Sequence, residues 1–488
     1  PRDLQVLAFP NGTTKISFNG TTTVKTDATT TVESSGGDKL FTNTAEGITR
    51  TTDGKTGREI TTRKDKSQEI KEKVSDGYII TSLDPEGRVT KLEESWNSLA
   101  MTQTVDGKGE TTSVHTGPRS ERNLTIKESA TGEIQVVDKG SAEALIFRKD
   151  PELSAPRVEM LDLARKHMSD PLMLSRFKAE MVRFEHRTAA ANLPATQVAQ
   201  TYKALSDMLK AGPDAKIPAD RRAELALQVM SQAARPSTID QGLLRTCSVA
   251  SIENVMYTTN PAKVAQTVCE IALTGKFRDA MGNMIHFSDQ NLKPIGFSRQ
   301  IMPLDRMRSY ASQLFQVGTI SAVLDKRSEK FEQTADGPSA SDSVNEFLID
   351  KDGKRTEFPG FHAPDIRLGY RLMSGTDRAD LVISHSGARE RSGADDIGFD
   401  SLETLATRLI ELKETGGLPV IASVYSGREP FRSDAGVIPG QTSWHALVVK
   451  DYDKATGMVS IDNQWGGKTD YPLSLKDFYH TTTAPQRR

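Results

Sequence analysis

The sequence predicts a multidomain chain. An all-β repeat or meander spans residues 1–147, a helical middle segment spans 148–236, and an α+β domain spans 237–488. Three observations predict this order. The first third is built from short alternating runs rich in Thr and punctuated by Asx-Gly pairs. At about residue 150 the pattern switches to apolar residues at helical spacing. After Arg235-Pro236, helix-periodic stretches alternate with short apolar runs, the signature of mixed α and β structure.

The alternating runs of the first region include Lys15-Ile16-Ser17-Phe18, Thr22-Thr23-Val24-Lys25, Tyr78-Ile79-Ile80-Thr81, Arg88-Val89-Thr90-Lys91-Leu92 and Glu133-Ile134-Gln135-Val136. Asn11-Gly12, Asn19-Gly20, Asp53-Gly54, Asp76-Gly77 and Asp106-Gly107 separate them as hairpin turns. β-branched Thr suits the open face of an antiparallel meander. The spacing is irregular, so the repeat is degenerate and not a solenoid of fixed period. Large apolar residues are scarce, which predicts a thin core or two wet faces and the role of a stalk or spacer.

In the middle segment, Val158–Met168, Pro171–Ala191, Ala195–Lys210 and Ala219–Ala234 read as amphipathic helices. Asp170-Pro171 supplies a cap followed by a first-turn proline, and Ala211-Gly212-Pro213 ends the third helix. His167 and His186 have no partners at metal-binding spacing. In the last region, helices are expected at Cys247–Tyr257, Pro261–Leu273, Leu304–Leu324 and Ser401–Lys413. Strands are expected at Pro419–Tyr425, His445–Tyr452 and Met458–Asn463, the last two joined by an Asp453–Gly457 turn. Residues 328–400 are polar and Gly-rich and read as an insertion with mobile loops, in which Phe347-Leu348-Ile349 and Asp380-Leu381-Val382-Ile383 are isolated strand candidates.

Bulk properties exclude several classes. Lys plus Arg (63) nearly balance Asp plus Glu (65), so no general attraction to nucleic acid or anionic membrane is expected. No apolar stretch approaches the ~20 residues of a membrane span. No metal or cofactor motif is present. The chain opens at Pro1 without Met or a signal region, which predicts a processed form or a fragment, and the expected location is secreted or cell-surface with any export signal lost from view. Two cysteines exclude a disulfide framework. Cys269 sits among Val264, Val268, Ile271 and Leu273 and reads as a buried hydrophobe.

Cys247 differs: it follows the polar approach Asp240-Gln241-Gly242-Leu243-Leu244-Arg245-Thr246 and opens a helical pattern. A thiolate nucleophile needs a lowered pKa, and a helix N-terminus favours the anion through its dipole and free amides. His445 begins a rigid apolar strand and is placed to take the thiol proton. Asn463 ends the neighbouring hairpin strand, where its amide oxygen can accept from the imidazole and orient it. Trp465 can shield that bond from water. Gln241 can donate to the oxyanion of a tetrahedral intermediate, with the Cys247 backbone N–H as second donor. His286, His362, His385 and His480 lack comparable surroundings.

With Gln-Gly-x-x-x-x-Cys at 241–247, His-Ala at 445–446 and Asn-x-Trp-Gly at 463–466, the second half of the chain resembles the papain-like cysteine peptidases. The resemblance implies a papain-like fold over 237–488, a helical subdomain facing a β-rich one. It also implies peptide-bond hydrolysis through an acyl-enzyme, with a protein or peptide as substrate. By it, Gln241 is the oxyanion donor, Cys247 the nucleophile, His445 the base and Asn463 the orienting residue. The match departs in lacking the usual Cys-Gly-Ser-Cys-Trp segment. The 198 residues between Cys247 and His445 also exceed the roughly 130–150 usual in papain-like enzymes. The region also resembles bacterial peptidases of the bacteriocin-processing type, which use Asp as third residue and make Asp462 a competitor to Asn463. The helices before residue 236 stand where papain-like zymogens carry an inhibitory segment, and plain packing is the alternative. Two further functional readings remain: a thiol-dependent acyltransferase, deamidase or transglutaminase, and an inactive papain-like binding or structural protein.

Overall fold

A computed structural model describes residues 5–8, 13–18, 21–74, 77–96, 99–117, 123–141, 143–242, 244–299, 307–335, 337, 344–386, 397–435, 444–465 and 471–483. Asn11-Gly12, Asn19-Gly20, Asp76, Leu243, Gly466, the start of the helix expected at Leu304 and part of the 328–400 stretch lie outside these residues. The chain divides into two compact units, Pro1–Phe147 and Arg148–Arg488.

Among the described residues, the first unit is one sheet of fifteen strands, from β1 (Gln5–Ala8) to β15 (Leu145–Ile146), paired strictly in chain order. Every strand pair is antiparallel, as expected of successive hairpins. The turns are held by aspartates: Asp53 Oδ1 accepts from the Lys55 and Thr56 amides, and Asp106 Oδ1 accepts from those of Lys108 and Glu110. Among the residues before Glu94 whose exposure is described, all are at least partly exposed. A core appears only later, where Met101, Leu124, Ile126, Ile134 and Val136 are buried. The first two-thirds of the sheet is therefore wet on both faces.

The second unit opens with α1 (Pro151–His167), α2 (Pro171–Ala190), α3 (Ala195–Lys210) and α4 (Ala219–Ala234). Helix α1 starts seven residues earlier than its periodicity suggests. Asp150 caps Glu152 N and Pro151 takes the first turn, while Pro156 lies inside the helix, which continues past it. Helix α2 departs from the amphipathic expectation, being buried on almost every side. Its interior charges are paired. Glu180 meets Arg183 at 2.9 Å and Arg235 at 2.8 Å, while Glu185 meets Arg157 at 2.7 Å and accepts from the Tyr202 hydroxyl at 3.0 Å.

Next come α5 (Cys247–Thr259), α6 (Pro261–Thr274), the hairpin β16 (Lys276–Arg278) and β17 (Met284–His286), α7 (Asp289–Leu292) and α8 (Tyr310–Asp325). Bonds between side chains and backbone tie the first four helices to this group. Arg187 of α2 donates to the carbonyls of Tyr257 (3.0 Å) and Thr258 (3.3 Å), the C-terminal end of α5, and to Ala233 O at 2.8 Å. Gln228 Oε1 of α4 accepts from Ala311 N at 2.9 Å, and Gln232 Nε2 donates to Ser312 Oγ at 2.6 Å. Tyr257 stands ten residues along α5 from Cys247, so Arg187 binds the helix about 15 Å from the cysteine. The helical segment supports the base of α5 through these bonds.

The described residues of 328–400 contribute regular elements to the fold. They hold the three-stranded sheet of β18 (Lys330–Ala335), β19 (Val344–Ile349) and β20 (Arg355–Glu357), then α9 (Ala363–Ser374), β21 (Val382–His385) and β22 (Ile397–Phe399). Gly369 of α9 lies so near α5 and α8 that a Cβ would sit 3.1 Å from Ile252 Cδ1 and 3.2 Å from Thr319 Cγ2. β21 is an interior strand, parallel to both β22 and β23 (Val420–Tyr425), which accounts for its unbroken apolar run. Beyond α10 (Leu402–Glu414), β23 leads through α11 (Phe431–Ala435) to β24 (Trp444–Asp453), β25 (Met458–Asp462) and β26 (Pro472–Ser474), with α12 (Leu475–Thr482) last. The sheet order is β22-β21-β23-β24-β25-β26. One face packs Leu447, Val449, Val459 and Ile461 against Leu405, Leu409 and Phe478 of α10 and α12. Thus an antiparallel β unit is followed by helices and a C-terminal α+β region.

Candidate functional site

Cys247 is the first residue of α5 and is half-buried. Gly242 takes φ +66°, with its amide bonded to Asp240 Oδ1 at 2.8 Å, and turns the chain into this approach. Thr246 precedes the helix but does not cap it. Its hydroxyl donates to Gln316 Oε1 of α8 at 3.0 Å. The first amides of α5 are therefore left for another acceptor. Burial pushes the Cys247 thiol up, and the Ala446, Ser248 and Cys247 backbone N–H groups oppose that shift by donating to sulfur. The nearby Glu346 carboxylate adds to the upward shift. Glu346 is buried, accepting from Arg245 N at 2.9 Å and Gln333 Nε2 at 3.0 Å.

The contact with Ala446 brings the thiol to the strand that carries His445. His445 is buried on β24 opposite Val424 of β23. Burial pushes its pKa down to about 4, with the Asn463 bond acting in the opposite direction. Its Nε2 lies 2.8 Å from Asn463 Oδ1, and the Trp465 ring stacks on it with centroids 4.2 Å apart and planes at 28°. Because Asn463 Oδ1 can only accept, Nε2 carries the proton and Nδ1 keeps its lone pair.

The hairpin register explains why Asn463 and not Asp462 meets the ring. Val448 pairs with Asp462, so the next pair along the ladder is Leu447 with Asn463. His445 lies two residues from Leu447 and shares its face, a diagonal spacing of ~7–8 Å that side chains can bridge. Asp462 is on the opposite face, against α5, with Asn254 and Gln464 beside its buried carboxylate and Lys450 3.8 Å away. Burial pushes the Asp462 carboxyl up, and those three partners offset the shift.

Gln241 is close by but engaged. Its backbone N–H donates to Gln464 O at 3.0 Å, and its Nε2 donates to Leu244 O at 2.7 Å. The side chain thus braces its own turn in the resting structure, whereas the sequence suggests an amide aimed beside the thiol. Sequence reasoning passed over Gln464, Ser251, Gln316, Glu253 and Glu346, which hold these segments from behind. Glu253, fully buried, accepts from Ser312 Oγ and Gln316 Nε2, both at 2.9 Å, and burial raises its pKa to about 7.

The remaining candidates lie elsewhere. Cys269 is buried on α6, and burial pushes its thiol up to about 12. His385 Nε2 lies 3.3 Å from the Tyr479 hydroxyl, and His480 contacts Arg428. Among the described residues, no group of His, Cys, Asp and Glu side chains is assembled to hold a metal ion, and no helix is long and apolar enough to cross a membrane.

No family model matches the chain, and no curated protein matches it. Solved structures with local likeness include the TCP10c domain of Drosophila melanogaster Sas-4, at 13% identity over 27% of this chain and 97% of that one, with a TM-score of 0.19. The Drosophila SAS-4 TCP domain in complex with a proline-rich motif of Ana2 gives 13% identity over 30% and 90%, TM-score 0.18. The G-box domain of the microcephaly protein CPAP gives 15% over 29% and 97%, TM-score 0.16. These scores carry no argument about the present chain.

Proposed function

We propose that residues 237–488 form a papain-like cysteine peptidase domain that hydrolyses peptide bonds through an acyl-enzyme. The observation that carries the reading is the 2.8 Å bond from His445 Nε2 to Asn463 Oδ1 beneath Trp465, on the strand whose Ala446 N–H reaches the Cys247 thiol. Sulfur and imidazole are each uncharged when alone at neutral pH. Moving the thiol proton to His445 Nδ1 creates an ion pair of no net charge, and the amides at the start of α5 favour the thiolate. The sulfur attacks the scissile carbonyl carbon. The resulting oxyanion accepts from the Cys247 N–H and, once it leaves Leu244 O, from Gln241 Nε2. The C–N bond breaks as the imidazolium gives its proton to the leaving amine. Water, deprotonated by His445, then hydrolyses the thioester and frees Cys247. The substrate in this reading is a protein or peptide.

The test is hydrolysis of a peptide library by wild type, Cys247→Ala and His445→Ala, with intact-mass detection of a thiol-directed electrophile. Cleavage confined to the wild type supports the reading, and full cleavage by either variant refutes it. Release of ammonia or incorporation of an amine faster than cleavage would move the same thiol to deamidation or acyl transfer.

A further inference from the structure

We propose that Gln464 is the positioning residue that locks the three separate parts of this site in register, a proposal that rests on the peptidase reading. Gln464 is fully buried and bonds in three directions. Its carbonyl accepts from Gln241 N at 3.0 Å, which fixes the approach to the nucleophile. Its Oε1 accepts from Ser251 Oγ at 2.9 Å. Ser251 lies four residues beyond Cys247, on the same face of α5. Its Nε2 donates to Asp462 O at 2.9 Å, folding the chain back immediately after β25 and so presenting Asn463 to His445.

The base-orienting strand lies more than two hundred residues along the chain from the nucleophile helix and its adjoining oxyanion segment, and Gln464 touches all three. The site suits an amide. A buried side chain here must accept from a hydroxyl and donate to a carbonyl while remaining neutral, and a carboxamide does so through separate atoms, Oε1 accepting and Nε2 donating. A carboxylate would accept from Ser251 but could not donate to Asp462 O, and it would bury a negative charge beside the Asp462 carboxyl. Ser251 donates away from its own helix, to Gln464, so this contact links two elements.

The experiment compares the full chain with Gln464→Met, which keeps volume without polarity, and with the milder Ser251→Ala. Three quantities are read: kcat and KM on a fluorogenic peptide, the rate of Cys247 alkylation by iodoacetamide from pH 4 to 9, and Tm. Gln464→Met is expected to lower kcat by roughly 10–100-fold, as small misplacements in catalytic sites do, with KM within about threefold. Alkylation should slow and its pH profile should move. Ser251→Ala should shift the same quantities less, and the double variant should be no worse than Gln464→Met alone. Unchanged kcat and alkylation in a folded Gln464→Met protein would overturn the proposal, as would an activity loss matched by loss of folded protein with an unmoved pH profile. If the wild type cleaves no peptide yet Gln464→Met still slows Cys247 alkylation, the peptidase reading fails and the positioning role stands.

Discussion

Replacing Glu253 by Gln should change how the stability of the second unit depends on pH. Glu253 is fully buried between Ser312 and Gln316, and burial raises its pKa from the ordinary 4.5 to about 7 even though both neighbours donate to it. Arg308 is the nearby positive charge, and Tyr257 lies on the same helix. Because the folded state holds the proton more tightly than the unfolded chain, the contribution to stability is fully present below pH 4.5. It is lost as pH rises through about 7. At about 1.4 kcal/mol per pH unit, the interval corresponds to about 3 kcal/mol. In Glu253→Gln the carboxamide stays neutral at every pH, so this component disappears. Ser312 can turn its hydroxyl to accept from the new NH2, which keeps the cost of the substitution itself near 1 kcal/mol. Urea unfolding at pH 4.5 and 7.5, followed by the fluorescence of Trp444 and Trp465, measures the effect. The wild type should lose about 3 kcal/mol more than the variant between the two values. Parallel pH dependence of the two proteins would refute the reasoning.

Asn463→Ala removes the hydrogen bond that orients His445 and should cost ~1.5–3 kcal/mol, or roughly 10–100-fold in kcat/KM. Asp462→Asn, on the opposite face, should leave peptide hydrolysis within a few-fold, and steady-state kinetics separate the two. Arg187→Ala leaves the carbonyls of Ala233, Tyr257 and Thr258 without their donor and should destabilise the unit by about 3 kcal/mol, read by thermal unfolding. By the same contacts, removal of residues 1–147 should leave the second unit folded, while removal of residues 1–236 should unfold it rather than activate it, as circular dichroism and activity would show. Because burial lowers His445 to about 4, its neutral form is present above that value. The acid limb of kcat/KM is therefore expected near pH 4, and a limb close to pH 6.5 would place the ring in water.

Local chemistry made much of the fold legible. Asp-Gly turns and Thr-rich alternation marked the meander, and Asp170-Pro171 marked the start of α2. The His445–Asn463 pair was legible because a short turn fixes hairpin register, and register decides which side chains share a face. Elements whose reason lies far away in sequence were harder to read. β21 is a four-residue strand that makes sense only between β22 and β23, and α9 is defined by its close crossing of α5 and α8 at Gly369. Thr246 looks like a helix cap, yet its hydroxyl is turned to Gln316, seventy residues on. Gln464 reads as the variable position inside Asn-x-Trp-Gly, because nothing nearby records Ser251 or Gln241. Gln241 itself carried a residue-type signal for an oxyanion donor, but its bond to Leu244 O is a conformational fact that spacing does not encode.

The most direct measurement is covalent labelling of the full chain with a peptidyl electrophile, mapped by tryptic mass spectrometry and paired with hydrolysis of the matching peptide. The account predicts modification of Cys247 and not of Cys269, loss of both labelling and hydrolysis in His445→Ala, and loss of hydrolysis in Cys247→Ala. Equal labelling of the two cysteines, or hydrolysis that survives in Cys247→Ala, would contradict it.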